Sequence, residues 1–410
     1  MLNKKKVVFY SYLTVGHLNL CVSIGSTLLN QYPDEIEIYF FSDQTWAEKK
    51  VVDLIKEMES LLNLPNIDRF KEMFKIIVKG EDYFFTDQQL SNLIKKIKPD
   101  FILCDLQCHM PSVVESTVPY GFVISSNPLS LDVEGFPPFG IDVGVDDDKK
   151  VIEDARKLFK EATQIYEEKI RLLFEKRNVK FGSKYSLIVP RSNFMSIYCY
   201  PKELDYFDDK IRENYNLLRV DSPIMFSKLP PPFQLPEDFL NLPGKIIYVS
   251  LGSLYSCYHD KLQKLIDVLA TLPYKFIVSK GPNGEKLIFP NNRFIGENYV
   301  DQLAVLQVVD MIIAHGGNNT FTECFHLGVP SIILPVMGDQ INNARHIEET
   351  GYGYQLDLMN YTKDDLKEKI EKIFSNKSLI DKYNKISERI KNEKSLEKIA
   401  KTFFENLKQI

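Results

Sequence analysis

The stretch that decides the fold is 311–353, which reads MIIAHGGNNTFTECFHLGVPSIILPVMGDQINNARHIEETGYG. An apolar run, a glycine pair and a helical pattern are followed by a second apolar run and a second helical pattern. Such alternation is typical of a parallel α/β sheet. Gly316 and Gly317 permit a tight turn that a ligand can approach closely, and the free N–H groups of the next helix favour phosphate. An ordinary strand-to-helix turn capped by Asn319 or Thr320 is the alternative interpretation.

The same alternation extends through the rest of the chain. In the second half, apolar runs lie at 245–252, 274–279, 293–296, 311–315 and 331–335. In the first half they lie at 7–12, 35–41, 101–105, 120–125 and 196–200, with helical patterns near 19–30, 47–62, 88–97 and 151–177.

A proline-rich segment separates the two halves. Six prolines fall between Pro223 and Pro243, where neither a helix nor an internal strand can continue. The sequence therefore predicts two Rossmann-like, doubly wound α/β domains, at 1–222 and 244–390, joined by a linker at 223–243. We expect the helical pattern at 391–410 to pack back on the first domain.

Composition limits the function classes. A chain of 410 residues is long enough for two or three domains. The 51 basic and 56 acidic side chains leave a net charge of -5, which argues against nucleic acid or an anionic membrane as a partner. The cysteines are scattered, as in reduced cytosolic proteins, and we find neither a signal-peptide core nor an apolar run of about 18 residues. We expect a soluble, cytoplasmic protein with small-molecule partners.

A family resemblance sharpens this expectation. The order YVDQLAVLQVVDMIIAHGGNNTFTECFHLGVPSIILPVMGDQ at 299–340 resembles the donor-binding signature of UDP-dependent glycosyltransferases of glycosyltransferase family 1. IYVSLGS at 247–253 looks like the first strand of that family's C-terminal domain, and TVGHLN at 14–19 like its N-terminal catalytic loop. The resemblance implies the GT-B fold, in which two Rossmann-like domains face each other across a cleft. It also implies a hexosyltransferase that inverts the sugar linkage, needs no metal or other cofactor, and acts on a small lipophilic hydroxylated acceptor.

The donor-binding residues that the resemblance implies all belong to the second domain. They are Ser253, Tyr299, Val300, Gln302, His315, Gly317, Asn319, Thr320, Glu323, Asp339 and Gln340. His315, Asn319 and Thr320, at the turn formed by Gly316 and Gly317 (the glycine turn), would bind the diphosphate. Ser253 would touch a phosphate oxygen or only cap the helix that follows it.

The other donor residues would bind the nucleoside and the sugar. The resemblance implies that Glu323 binds the ribose hydroxyls, Gln302 the ribose or the base, and Asp339 and Gln340 the sugar hydroxyls. Asp339 could instead cap its own helix. Tyr299 stands where many members have a tryptophan that stacks on uracil, and a tyrosine ring can still stack there. By the same resemblance, a glutamine at the position of Gln340 favours UDP-glucose as the donor.

The acceptor side needs a base. His17 lies in the predicted loop after the first strand, and an imidazole suits proton removal at neutral pH. The resemblance places the catalytic base here and makes Asp105 its orienting carboxylate, although a structural histidine and a helix-capping aspartate are the plain alternatives. The candidates for the acceptor pocket, each of which could equally be core or loop packing, are Phe84, Phe85, Met110, Phe136 and Phe139.

Two metal-binding patterns are weaker. The run at 146–148 contains a DxD, which can hold a divalent ion, but it precedes a long helical pattern whose N-terminus favours acidic charge. Cys104, Cys108 and His109 lack a second ligand pair for zinc. Two other functions stay open: a GT-B-fold UDP-sugar epimerase and a catalytically silent UDP-sugar-binding protein.

Overall fold

The computed structural model describes residues 4–11, 15–42, 64, 68–69, 71–72, 75, 83–106, 110–179, 192, 194–225, 229–252, 258–282 and 284–410. The chain divides into two compact units. The first comprises Met1–Pro223 and Lys394–Ile410, and the second comprises Ile224–Glu393. Across these described ranges, no helix has the length and apolar character needed to cross a bilayer.

The strands share one parallel orientation within each sheet. They are β1 (Lys5–Tyr10), β2 (Ile36–Phe41), β3 (Phe101–Asp105), β4 (Tyr120–Ile124), β5 (Ser196–Cys199), β6 (Leu217–Val220), β7 (Ile246–Ser250), β8 (Lys275–Ser279), β9 (Phe294–Glu297), β10 (Met311–Ala314), β11 (Ser331–Ile333) and β12 (Gly353–Gln355).

The helices mostly connect these strands. They are α1 (Val15–Gln31), α2 (Tyr83–Ile97), α3 (Pro111–Glu115), α4 (Lys149–Lys176), α5 (Asp209–Asn214), α6 (Glu237–Leu240), α7 (His259–Leu269), α8 (Gln302–Leu306), α9 (Asn318–Leu327), α10 (Asp339–Glu349), α11 (Lys363–Ser375), α12 (Lys377–Glu393) and α13 (Ser395–Gln409). The predicted helix at 47–62 lies outside the described residues.

The first unit contains a sheet with the strand order β2-β1-β3-β4-β5-β6. Its central strands read VVFY and FILC, and these apolar side chains are buried because a parallel sheet with helices on both faces leaves neither face in water. α13 belongs to this unit: the Phe404 ring stacks on Tyr32 with centroids 3.9 Å apart, and the Asp221 N–H donates to Ser395 Oγ at 2.9 Å.

The second unit contains a sheet with the order β12-β11-β10-β7-β8-β9. Its core joins residues of β7 and β10 with side chains of α8 and α9, including Tyr248, Ile312 and Cys324. The predicted pair of doubly wound α/β domains is confirmed. Strands β6 and β12 were not predicted from the sequence, because β6 (LLRV) contains an arginine and β12 (GYQ) begins with a glycine, so neither is a continuous apolar run.

Candidate functional site

Each sheet has one place where the strand order reverses. In the first unit β1 and β3 are neighbours, and the strands that follow them in the chain lie on opposite sides of this pair. In the second unit β7 and β10 form the corresponding pair. The connections that leave the carboxyl ends of such a strand pair diverge and open a crevice, which is where open α/β sheets bind ligands. The predicted residues His17 and Asp105 follow or end β1 and β3, and His315 follows β10.

His17 lies in the first turn of α1, so its prediction as a loop residue was wrong. The helix begins at Val15, one residue before a glycine that disfavours helix, whereas the predicted helix began only near residue 19. The position still places the imidazole at the carboxyl edge of the sheet.

His17 and Asp105 meet as predicted from the sequence. His17 Nδ1 lies 2.8 Å from Asp105 Oδ2. The Asp105 side chain is 0% exposed, whereas that of His17 is 28% exposed. Because a carboxylate only accepts, this contact assigns the proton to Nδ1 and leaves the Nε2 lone pair able to accept a proton. The pair can therefore act as an oriented general base.

Two serines join this pair and were missed by the sequence analysis. Ser125 Oγ lies 3.1 Å from His17 Nδ1 and donates to Asp105 Oδ2 at 3.4 Å, and Ser11 Oγ donates to the same oxygen at 3.5 Å. Donors around a buried carboxylate offset the cost of removing its charge from water. Ser11 and Ser125 follow β1 and β4, but a serine after a strand carries no distinctive signal.

The glycine turn of the second unit packs around His315. A Cβ on Gly252, whose φ is +74°, would lie 2.5 Å from His315 Cε1, and a Cβ on Gly317 would lie 2.7 Å from His315 Nε2. Only glycine fits at both positions. Burial lowers the pKa of the His315 imidazole to about 4, so the ring is neutral at physiological pH and can serve a phosphate as a hydrogen-bond donor.

Gln302, Thr320 and Glu323 form a polar group beside this turn. Gln302 Nε2 donates to Glu323 Oε2 at 2.6 Å and to Thr320 Oγ1 at 3.0 Å. Glu323 is buried, and desolvation raises the pKa of its carboxyl to about 7, against the lowering effect of the hydrogen bond from Gln302. A carboxyl group held in this way can accept the protons of vicinal hydroxyls.

Side chains of helix α10 make hydrogen bonds to the backbone of the glycine turn and of the start of α9. Asp339 Oδ2 accepts the Asn318 N–H at 2.9 Å, so Asp339 caps the neighbouring helix α9, while Gly338 is the N-cap of α10 itself. Asn343, which the sequence analysis missed, donates from Nδ2 to the Gly316 carbonyl at 2.8 Å. Gln340 is buried, and its Oε1 accepts two backbone N–H groups of the preceding turn.

The remaining predicted donor residues occupy different surroundings. Tyr299 is 67% exposed, and Val300 packs against the core of the second unit. Asn319 lies in the first turn of α9 and is partly buried. Ser253 lies outside the described residues.

The predicted acceptor residues are not alike. Phe84 and Phe85 are exposed at the start of α2, but Met110 is 1% exposed and belongs to the core. Phe139 is partly buried, and Phe136 packs edge-to-face on another phenylalanine with centroids 5.3 Å apart.

The acidic run at 146–148 has a local structural role. Asp148 is the N-cap residue of α4, and Asp147 Oδ2 accepts the Gly144 N–H at 2.9 Å. Cys108 and His109, from the other metal pattern, lie outside the described residues.

Residues 227–404, which include the glycine turn and the Gln302–Glu323 pair, match the model of a family described as UDP-glucoronosyl and UDP-glucosyl transferase. These residues, which make up less than half of the chain, are thus similar to UDP-glycosyltransferases of that family.

Curated relatives match part of the chain. An uncharacterized UDP-glucosyltransferase, YojK, from Bacillus subtilis is 26% identical over 167 residues, which cover 40% of this chain and 41% of the relative. The NDP-glycosyltransferase YjiC from Bacillus subtilis is 26% identical over 161 residues, which cover 38% of this chain and 40% of the relative. The matched region thus spans less than half the length of these relatives.

Solved structures match the whole chain. The glycosyltransferase of kitacinnamycin superposes with a TM-score of 0.74 at 16% identity, covering 99% of this chain and 100% of that chain. The glycosyltransferase VinC, solved in complex with dTDP, gives a TM-score of 0.67 at 15% identity with the same coverage. At such identity the likeness shows the fold alone, which is GT-B.

Proposed function

We propose that this protein is a UDP-glycosyltransferase that transfers glucose from UDP-glucose to a hydroxyl group of a small lipophilic acceptor. The observation that carries the proposal is the His17–Asp105 contact of 2.8 Å, in which a buried carboxylate orients a partly exposed imidazole at the reversal point of its sheet. A protein that only bound a UDP-sugar would have no use for an oriented base.

In the proposed reaction His17 Nε2 removes the proton of the acceptor hydroxyl. The acceptor oxygen then forms a bond to the anomeric carbon from the face opposite the diphosphate, and the bond between that carbon and the diphosphate oxygen breaks. An α-linked sugar thereby becomes a β-glycoside, and UDP leaves with the bonding electrons. Base catalysis of this kind contributes on the order of 10² to 10⁴ in rate.

The glycine turn would stabilise the departing diphosphate. The backbone N–H groups at the start of α9 other than that of Asn318, which donates to Asp339, and the single N–H of the neutral His315 imidazole would be fixed donors, and such donors stabilise developing negative charge without reorganising. We therefore propose that the reaction needs no metal ion.

The proposed donor is UDP-glucose. Glu323 and Gln302 would bind the ribose, and Tyr299 would stack on the base. Since Gln340 Oε1 is already occupied by backbone N–H groups, its amide group would donate to a sugar hydroxyl. The relatives include a sterol 3-beta-glucosyltransferase from Pichia angusta and a UDP-glucuronosyltransferase from Oryctolagus cuniculus, and VinC was solved with dTDP, so UDP-glucuronate and dTDP-sugars are the competing donors to test. We retain a cytoplasmic location as a prediction.

A release assay tests the proposal. UDP-glucose, UDP-galactose, UDP-glucuronate and dTDP-glucose are each incubated with and without a panel of phenols, flavonoids, sterols and macrolides, and the nucleotide released is measured. We expect release from UDP-glucose only when an acceptor is present. Conversion of the UDP-sugar without an acceptor would indicate an epimerase, and binding without turnover across the panel would indicate a silent binding protein.

A further inference from the structure

The peptide bond between Gly316 and Gly317 lies in the middle of the glycine turn. Gly316 has a φ of +85°, in the left-handed region, and neither residue has a side chain. A peptide flanked by two glycines can rotate into a flipped orientation at little steric cost. Its orientation must therefore be set by a contact from another part of the fold.

Asn343 makes that contact. Its Nδ2 donates to the Gly316 carbonyl oxygen at 2.8 Å, and the side chain is fully buried in α10. One helical turn earlier on the same face, the carboxylate of Asp339 accepts the Asn318 N–H at 2.9 Å. Two side chains of α10 thus hold both sides of the turn.

The contact between Asn343 and the Gly316 carbonyl also fixes the direction of the Gly317 N–H group. In a trans peptide the carbonyl and the N–H point in opposite directions, so a Gly316 oxygen directed at Asn343 turns the Gly317 N–H away from α10. Within the described part of the chain, the Gly317 N–H donates to no protein acceptor. It lies directly before the positive end of α9, where an anion is favoured.

We propose that Asn343 is a positioning residue that locks the Gly316–Gly317 peptide so that the Gly317 N–H donates to the diphosphate of the sugar donor. In the flipped peptide the Gly316 oxygen would face the diphosphate and repel it. Asn343 acts through the backbone and does not touch the ligand. The inference rests on the proposed use of a UDP-sugar, since it assigns the turn to the diphosphate.

The test compares UDP with uridine, which lacks the diphosphate. In Asn343→Leu, a substitution of similar volume that cannot donate, we expect the Kd of UDP from calorimetry to rise ~10- to 100-fold, the range for a hydrogen bond to a charged group. The Kd of uridine, followed by NMR titration, should stay within about twofold, since loss of one turn contact leaves the Glu323 side of the site intact.

The matched control is Ala344→Gly, at the next position of α10. Glycine weakens a helix by about 1 kcal/mol but leaves the Gly316 carbonyl contact in place. We expect this variant to melt at a lower temperature while keeping the UDP affinity of the unsubstituted chain. If Asn343→Leu does not fold, Asn343→Ser removes the contact with a shorter polar side chain and is measured in the same way.

Three outcomes would overturn the inference. An unchanged UDP affinity in a folded Asn343 variant would show that the Asn343 contact does not orient the Gly317 N–H toward the diphosphate. Equal losses of UDP and uridine affinity would show that Asn343 only maintains the structure. Absence of UDP binding by the unsubstituted chain would overturn the proposed function itself, and the inference with it.

Discussion

Replacing Asp105 with asparagine is the sharpest test of the proposed base. The change keeps the size of the side chain but removes its charge, and the amide can turn its NH₂ group toward His17 and so force the proton onto Nε2. In the reaction His17 becomes positively charged at a contact of 2.8 Å from a fully buried oxygen. Two unit charges with centres ~4 Å apart interact by about 4 kcal/mol at an effective dielectric constant of about 20.

Solvent reaches His17, whose side chain is 28% exposed, and this reduces the interaction. We therefore expect kcat to fall by ~10²- to 10³-fold, since 1.36 kcal/mol corresponds to a tenfold change in rate. The assay is acceptor-dependent UDP release at saturating donor and acceptor, with the Kd of UDP measured alongside. That Kd should not change, because the glycine turn lies in the other unit.

The matched control is Asp100→Asn, just before the opposite end of β3. Asp100 Oδ2 accepts the Lys6 N–H at 2.7 Å, so this variant loses a carboxylate of the same sheet without touching His17. We expect its kcat to stay within about twofold of the unsubstituted chain. If Asp105→Asn also stayed within twofold, the oriented-base mechanism would be refuted.

Three further predictions concern the second unit and the requirement for metal. The carboxyl of Glu323, with a pKa of about 7, gains a proton as the pH falls from 8 to 6, so UDP affinity should drop by up to ~10-fold over that range. In calorimetry, the UDP affinity of Glu323→Gln should depend less on pH. An equal pH dependence in the two proteins would contradict the assignment of Glu323 to the ribose. Gly252→Ala places a Cβ 2.5 Å from His315 Cε1 and should therefore displace the imidazole. UDP binding should weaken ~10-fold or more in an equilibrium titration. An unchanged Kd would show that UDP binding does not need His315. Turnover should persist in EDTA, whereas strict dependence on added Mn²⁺ would contradict the metal-independent mechanism.

The sequence predicted most of the fold because its strands are short apolar runs separated by helical patterns. β3 coincides with the predicted run at 101–105, and α4 lies within a few residues of the predicted helix. β12 was missed because GYQ begins with a glycine and has no apolar alternation. The start of α1 was missed because Gly16, a residue type that disfavours helix, lies in its first turn.

The contact between His17 and Asp105 was predictable because the resemblance pairs these residues and the strand order brings them together. His17 and Asp105 end neighbouring strands or follow them closely, and their contact follows from a parallel sheet. The contacts of Asp339 and Asn343 with the glycine turn were not predictable, because they join positions 21 and 27 residues apart through the packing of two helices. No local pattern in a single sequence encodes such packing.

The assignment of Lys394–Ile410 to the first unit bears on how the protein is made. Translation supplies strands β1 to β6 before the second unit, but the helix that packs on Tyr32 and bonds to Asp221 is made only after the second unit. The second unit, which is continuous in sequence, can fold before the first one is complete. During synthesis the first sheet therefore exposes the apolar surface that α13 will cover, and at that stage the nascent chain is most open to aggregation and most dependent on chaperones.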